Sequence, residues 1–103
     1  MSNKYRLCHV NELKEGEARG YVVNGNDVLL VRLSDGYHAL DNVCSHEHAY
    51  LSDGDVIGDK YIECWRHGSR FDIRTGKPVN LPAVLPVAKY QVIIENDEVY
   101  VVL

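Results

Sequence analysis

Apolar and polar residues change places every one or two positions along most of this chain, and the apolar runs that result are short. Tyr5–His9, Glu17–Val23, Asp27–Leu33, Tyr37–Asn42, Lys60–Cys64, Arg70–Asp72, Tyr90–Glu95 and Glu98–Val102 are rich in β-branched and aromatic residues and are expected to be strands. Turn chemistry sits between them or at their ends: Asn24-Gly25, Asp35-Gly36, Gly58-Asp59, Thr75-Gly76 and Asn96-Asp97 tolerate the positive φ of tight connections. Alternation is clearest near the C-terminal end, where Val92, Ile94, Val99 and Val101 are expected to share one buried face. No segment keeps a helical period over three turns, and Val10 to Ala18 offers one short turn at most. The pattern predicts an all-β fold, a small antiparallel sandwich or barrel-like base.

The texture changes from about residue 42 to residue 85. Strands shorten, glycine and proline become frequent, and cysteine and histidine concentrate. This segment reads as a loop-rich subdomain inserted into the β base, a common way to present binding chemistry from a rigid frame. Residues 1–103 are read as a single domain.

Composition narrows the function. With 46% hydrophobic and 25% charged residues, the chain is globular rather than disordered. A formal net charge of −4, with both signs mixed along the sequence, argues against nucleic-acid binding, which needs a basic stripe. The longest apolar stretches, Val28-Leu29-Leu30-Val31 and Val99 to Leu103, are too short to span a bilayer, and the first residues hold no apolar core of a secretory signal. Three cysteines cannot all pair, so an oxidising compartment is not indicated and a cytoplasmic location is expected.

The chemistry-bearing residues are Cys44-Ser45-His46 and Cys64-Trp65-Arg66-His67, a C-x-H followed by a C-x-x-H. Each half places a soft thiolate beside an imidazole, a donor mixture that suits a transition metal and not calcium or magnesium. A hairpin turning at Gly58-Asp59 between the halves would bring the two loops side by side. Two metal readings compete. One is a tetrahedral zinc held by all four side chains. The other is a two-iron cluster with both cysteines on one iron and both histidines on the other. Zinc fingers usually group their cysteines and histidines separately and place the histidines on a helix, which this sequence does not offer.

Cys44-Ser45-His46, the run Glu63-Cys64-Trp65-Arg66-His67-Gly68-Ser69-Arg70-Phe71-Asp72 and Thr75-Gly76-Lys77-Pro78 together resemble the two cluster-binding loops of Rieske proteins. The resemblance extends through Pro82 to Pro86 and the final strands. It is greatest to the ferredoxins of bacterial ring-hydroxylating dioxygenase systems. Glu63 to Ala83 also looks like ferredoxins encoded beside iron–sulfur assembly genes. The resemblance implies a Rieske iron–sulfur fold and one [2Fe–2S] cluster held by Cys44, His46, Cys64 and His67. Gly68 would allow a close backbone approach to it, and Ser69 would donate its hydroxyl toward a bridging sulfide. A proline loop through Pro82 and Pro86 would cover one side. The histidines would lie at the exposed tip, on the iron that takes the added electron.

Departures from the family pattern matter too. Respiratory Rieske proteins carry a disulfide whose positions correspond to Ala49 and Arg66 here, so no bridge can form. They also carry a tyrosine where Phe71 stands, and phenylalanine cannot donate a hydrogen bond to a ligand sulfur. Fewer donors leave the reduced cluster less stabilised and its potential lower.

Other residues receive plainer readings. His48 is not needed as a ligand, since His46 already completes the C-x-H, and is expected to be exposed. His9 and His38 fall on strands away from the loops, and Cys8 reads as a small strand hydrophobe. Trp65 is a shield, a partner-facing residue or simple packing; Arg66 and Arg70 either pair with a partner's carboxylates or are solvated. No phosphate loop, flavin fingerprint, nucleophile triad or separate mononuclear iron motif is present. The reading is therefore an electron carrier rather than an enzyme. The resemblance implies a flavin-dependent ferredoxin reductase as donor and a terminal Rieske non-heme iron oxygenase as acceptor, with the carrier a monomer. The alternative is an electron-transfer or accessory protein of another pathway, iron–sulfur assembly or a reductase subunit among them.

Overall fold

The computed structural model describes residues 3–46 and 48–103; Met1, Ser2 and Glu47 lie outside the described residues. Its strands are β1 (Lys4–His9), β2 (Ala18–Val23), β3 (Asn26–Leu33), β4 (Gly36–Asp41), β5 (Asp55–Ile57), β6 (Tyr61–Glu63), β7 (Arg70–Asp72), β8 (Lys89–Glu95) and β9 (Glu98–Val102), with one 3₁₀ turn at Leu51–Asp53. Six strands form an antiparallel sheet in the order β1-β9-β8-β4-β3-β2, and β5-β6-β7 form a small second sheet. Tight hairpins set the registers. Asn24 (φ 49°) with Gly25 (φ 79°) joins β2 to β3, and Asn96 (φ 51°) with Asp97 (φ 63°) joins β8 to β9. Both pairs have the positive φ of a turn whose twist matches the strands it connects.

The large sheet curls. Leu7 and Cys8 of edge strand β1 share one buried core with Val23 of the opposite edge strand β2, and Tyr21 of β2 packs against that core. Sheet edges that meet through their side chains make a barrel-like base, as the strand pattern predicts. Burial pushes the Tyr21 phenol up to about 12, consistent with a hydroxyl facing that apolar interior.

The run Val28-Leu29-Leu30-Val31 is fully buried, and the reason is two-sided packing. Val28 and Leu30 point into the barrel core, whereas Leu29, Val31 and Leu33 join Leu51, Ile62, Phe71 and Ile73 in a second core beneath the small sheet. β3 is thus shared between the base and the insertion. A strand covered on both faces loses the apolar–polar alternation of a half-solvated one. At the C-terminal end, Val99 and Val101 are buried as expected, but Ile94 is 49% exposed. Ile94 pairs with Val99 next to the Asn96-Asp97 turn, at the rim of the curled sheet, where little covers it.

The insertion is fastened to the base by a polar clasp. Arg74, just after β7, donates from Nε and Nη2 to the carboxylate of Asp35 in the β3–β4 turn, at 2.9 and 3.0 Å. It also donates to the carbonyl and carboxylate of Asp59 in the β5–β6 turn, and Asp59 accepts the Ser34 N–H at 2.8 Å. The Arg74 guanidinium, followed by His38, holds the Asp35 carboxyl well below the usual carboxylate range. The Ser34 hydroxyl and N–H, together with Arg74, lower Asp59. A carboxyl whose folded-state pKa is depressed stabilises fully above its unfolded value of about 3.9, and that contribution disappears as pH falls toward the folded value. The melting-temperature gap between the unsubstituted protein and Asp35→Asn should therefore be widest near neutral pH and narrow progressively as pH falls below about 4. A gap independent of pH would contradict the clasp.

Candidate metal centre

Two hairpin loops of similar construction meet at one end of the insertion. In the first, between β4 and the 3₁₀ turn, the Cys44 N–H donates to the Ala49 carbonyl at 2.9 Å, and Val43 and Tyr50 form a β-bridge below it. In the second, between β6 and β7, the Cys64 N–H donates to the Ser69 carbonyl at 2.7 Å and the Gly68 N–H to the Cys64 carbonyl at 3.1 Å. In each loop the cysteine occupies the closing pair, at the base, and the histidine lies two or three residues on, at the tip. Both cysteines are consequently buried and both histidines exposed. The spacings C-x-H and C-x-x-H are what this geometry requires.

Across the loops the donors pair by type. The imidazoles of His46 and His67 face each other edge to face, with centroids 5.8 Å apart. The Cys44 and Cys64 side chains are neighbours in the same buried core. Burial pushes the Cys64 thiol up, and the neighbouring Cys44 adds to the rise, while the backbone N–H groups of Arg66 and His67 favour the thiolate. A coordinated metal reverses that balance, because its charge deprotonates a thiol outright. Among the described residues, no three His, Cys, Asp or Glu side chains are grouped so as to hold a single ion. The donor set and its pairing fit a two-iron cluster.

The Val79 to Val87 loop covers the site and is stitched to both hairpins. Ser69 is 1% exposed, and its Oγ accepts the Ala83 N–H at 3.1 Å, so its own O–H remains available as a donor. The Ser45 hydroxyl donates to the Leu85 carbonyl at 2.5 Å. Pro82, after a cis peptide bond, and Pro86 lie in this loop. Phe71 is wholly buried in the same core as Cys44 and Cys64 and brings no polar atom to it. Gly68 has φ +74°, and a Cβ there would meet only Glu63 Oε1, at 3.8 Å. Among protein atoms its need is conformational.

The remaining expectations sort themselves by position. His48 is exposed, His9 lies on β1 and His38 on β4, and Cys8 is a buried strand residue. Arg70 Nε donates to Glu63 Oε1 at 3.2 Å, so it serves the small sheet. The Arg66 guanidinium lies 5.5 Å from the Trp65 ring centre, and Trp65 is 57% exposed. Ser45, Asn42 and Asn80 were not singled out from the sequence. Their contribution is hydrogen bonding between loops, which leaves no periodic mark.

The family model for the Rieske [2Fe–2S] domain matches residues 3–91. The chain belongs to the Rieske [2Fe–2S] family. The ferredoxin component of the naphthalene 1,2-dioxygenase/salicylate 5-hydroxylase systems of Ralstonia sp. is 38% identical to this Rieske protein, over 87% of this chain and 86% of its own length. The solved ferredoxin of carbazole 1,9a-dioxygenase from Nocardioides aromaticivorans IC177 is 40% identical and covers 95% of each chain, with a TM-score of 0.91. A chain in the solved complex of reduced oxygenase and oxidized ferredoxin of carbazole 1,9a-dioxygenase is similar at 30% identity, with a TM-score of 0.87 over 93% of this chain and 98% of that one. This Rieske protein is an electron carrier with one [2Fe–2S] cluster per chain, not itself an oxygenase. No helix among the described residues is long and apolar enough to cross a membrane.

Proposed function

We propose that Cys44 and Cys64 hold one iron of the cluster and His46 and His67 the other, and that the chain carries single electrons from a flavin-dependent ferredoxin reductase to a terminal Rieske non-heme iron oxygenase. The observation that carries this is the buried cysteine pair beneath an exposed histidine pair at one end of the molecule. Once bound, a cluster of this kind supplies one reversible electron. The protein's residues do the rest. The thiols are kept from water by Phe71, Leu51 and Ile62, and the N–H groups of Arg66 and His67 aim at the Cys64 sulfur. The imidazoles at the tip provide the shortest path to a partner. Ser69 is placed to donate toward the cluster, and Gly68 gives the loop the φ that brings it there.

Trp65 of the second loop and Leu81, Val84 and Leu85 of the covering loop are all more than half exposed, an apolar surface suited to brief docking. The dioxygenase and oxygenase named for the relatives support the choice of acceptor. Residues 1–103 act as one Rieske domain, a monomer, with the cluster-binding subdomain at about 42–85. We place it in the cytoplasm, where reducing conditions keep Cys8, Cys44 and Cys64 unbridged. Reconstitution with candidate reductases and terminal oxygenases tests the assignment. NAD(P)H-driven aromatic hydroxylation that needs this chain supports it. Efficient reduction with no transfer to any oxygenase, alongside transfer to an iron–sulfur assembly component, would overturn it.

The midpoint potential should fall near the low end of the Rieske range of about −150 to +300 mV, because Phe71 offers the sulfurs no donor. A value above roughly +100 mV by voltammetry at neutral pH would contradict this. Ser69→Ala should lower the potential further, and an unchanged midpoint would remove Ser69 from the cluster's environment.

A further inference from the structure

Asn80 stands outside the ligand set, yet its side chain makes two bonds to the loop that carries His67. Its Oδ1 accepts the Arg70 N–H at 2.6 Å and its Nδ2 donates to the Gly68 carbonyl at 3.0 Å. The setting explains the arrangement. Pro78 forms an isolated bridge with Phe71, and the Val79 N–H donates to the Arg70 carbonyl at 2.9 Å, so the chain after β7 returns briefly alongside it. At residue 80 that backbone pairing ends. The Asn80 amide, with one donor and one acceptor in a plane, continues it for two more residues in place of a peptide group.

Gly68 is the residue that gains most. Its N–H is held by the Cys64 carbonyl, and its C=O by Asn80, so a left-handed glycine is pinned on both sides. Glycine has the widest backbone freedom of any residue, and an unpinned one would let its neighbour His67 swing. The N–H of His67 itself is directed at the Cys64 sulfur. We infer that Asn80 is a positioning residue for the metal centre, which fixes the orientation of the His67 imidazole by clamping the Gly68–Arg70 backbone. The inference rests on His67 being a ligand.

The test compares the unsubstituted holoprotein with Asn80→Ala, which loses both bonds, and Asn80→Asp, which keeps the acceptor for Arg70 and loses the donor to Gly68. In Asn80→Ala, the EPR g values of the reduced protein should shift and cluster bleaching in air should run several-fold faster. Asn80→Asp should bleach at an intermediate rate. Circular dichroism of the β base should be the same in all three. g values and bleaching rates in Asn80→Ala equal to those of the unsubstituted protein would overturn the inference. So would loss of the β signal in both variants, which would make Asn80 a structural residue only. If the unsubstituted protein itself gives no Rieske-type EPR signal, the ligand assignment fails and not merely the role of Asn80.

Discussion

The double substitution His46→Ala/His67→Ala should yield a folded but colourless protein, with iron and labile sulfide lost after anaerobic reconstitution. The histidines lie at the solvent-facing tip, so under the proposed ligation their removal would leave one iron with open positions exposed to water. The β base should survive. Its core, built on Val28, Leu30, Ala39, Val99 and Val101, is separate from the core that contains Cys44 and Cys64. Circular dichroism should thus keep its β signature, while the visible absorption of the cluster disappears. A variant that stays coloured and retains its iron would show that the histidines do not hold the metal.

Gly76→Ala should be strongly destabilising, because backbone strain and a backbone collision coincide there. Gly76 has φ +80°, and a Cβ there would sit 2.3 Å from the Val87 carbonyl oxygen, which is backbone and cannot turn aside. The left-handed conformation costs a residue with a Cβ about 1–2 kcal/mol. The collision adds to that by forcing apart the Val87 N–H and the Gly76 carbonyl, which are bonded at 2.9 Å. A loss on the order of 3 kcal/mol is expected, near the upper end for a strained position. For a chain of this length that lowers the melting temperature by more than about 10 °C. Val87 ends the covering loop whose Ala83 N–H reaches Ser69, so the displaced loop should also expose the cluster to faster bleaching. A shift of less than about 2 °C would contradict this reading.

Much of this molecule was legible in its sequence because the signals are local. Asn24-Gly25 and Asn96-Asp97 mark hairpins through backbone conformation alone, and all eight expected strands are present within a residue or two. The two Cys–His motifs declared the chemistry by donor type, and the loops then paired them. What escaped is tertiary. β5, Asp55–Ile57, is three residues long with no buried position, so only pairing with β6 reveals it. The double-sided burial of Val28 to Val31 depends on an insertion packing behind β3. Ile94 keeps the alternation but lies at the rim, and alternation does not say how far a curled sheet extends its cover. Arg74 and Asn80 act across loops distant in the chain, where charge and amide groups carry no sequence period.

Pulsed EPR on the reduced protein, grown with ¹⁵N-labelled histidine, tests the ligand set most directly. If His46 and His67 are bound to iron, two histidine nitrogens couple strongly to the electron spin and both couplings change with the isotope. A signal without nitrogen coupling, or a colourless protein that binds zinc in place of iron and sulfide, would contradict the assignment.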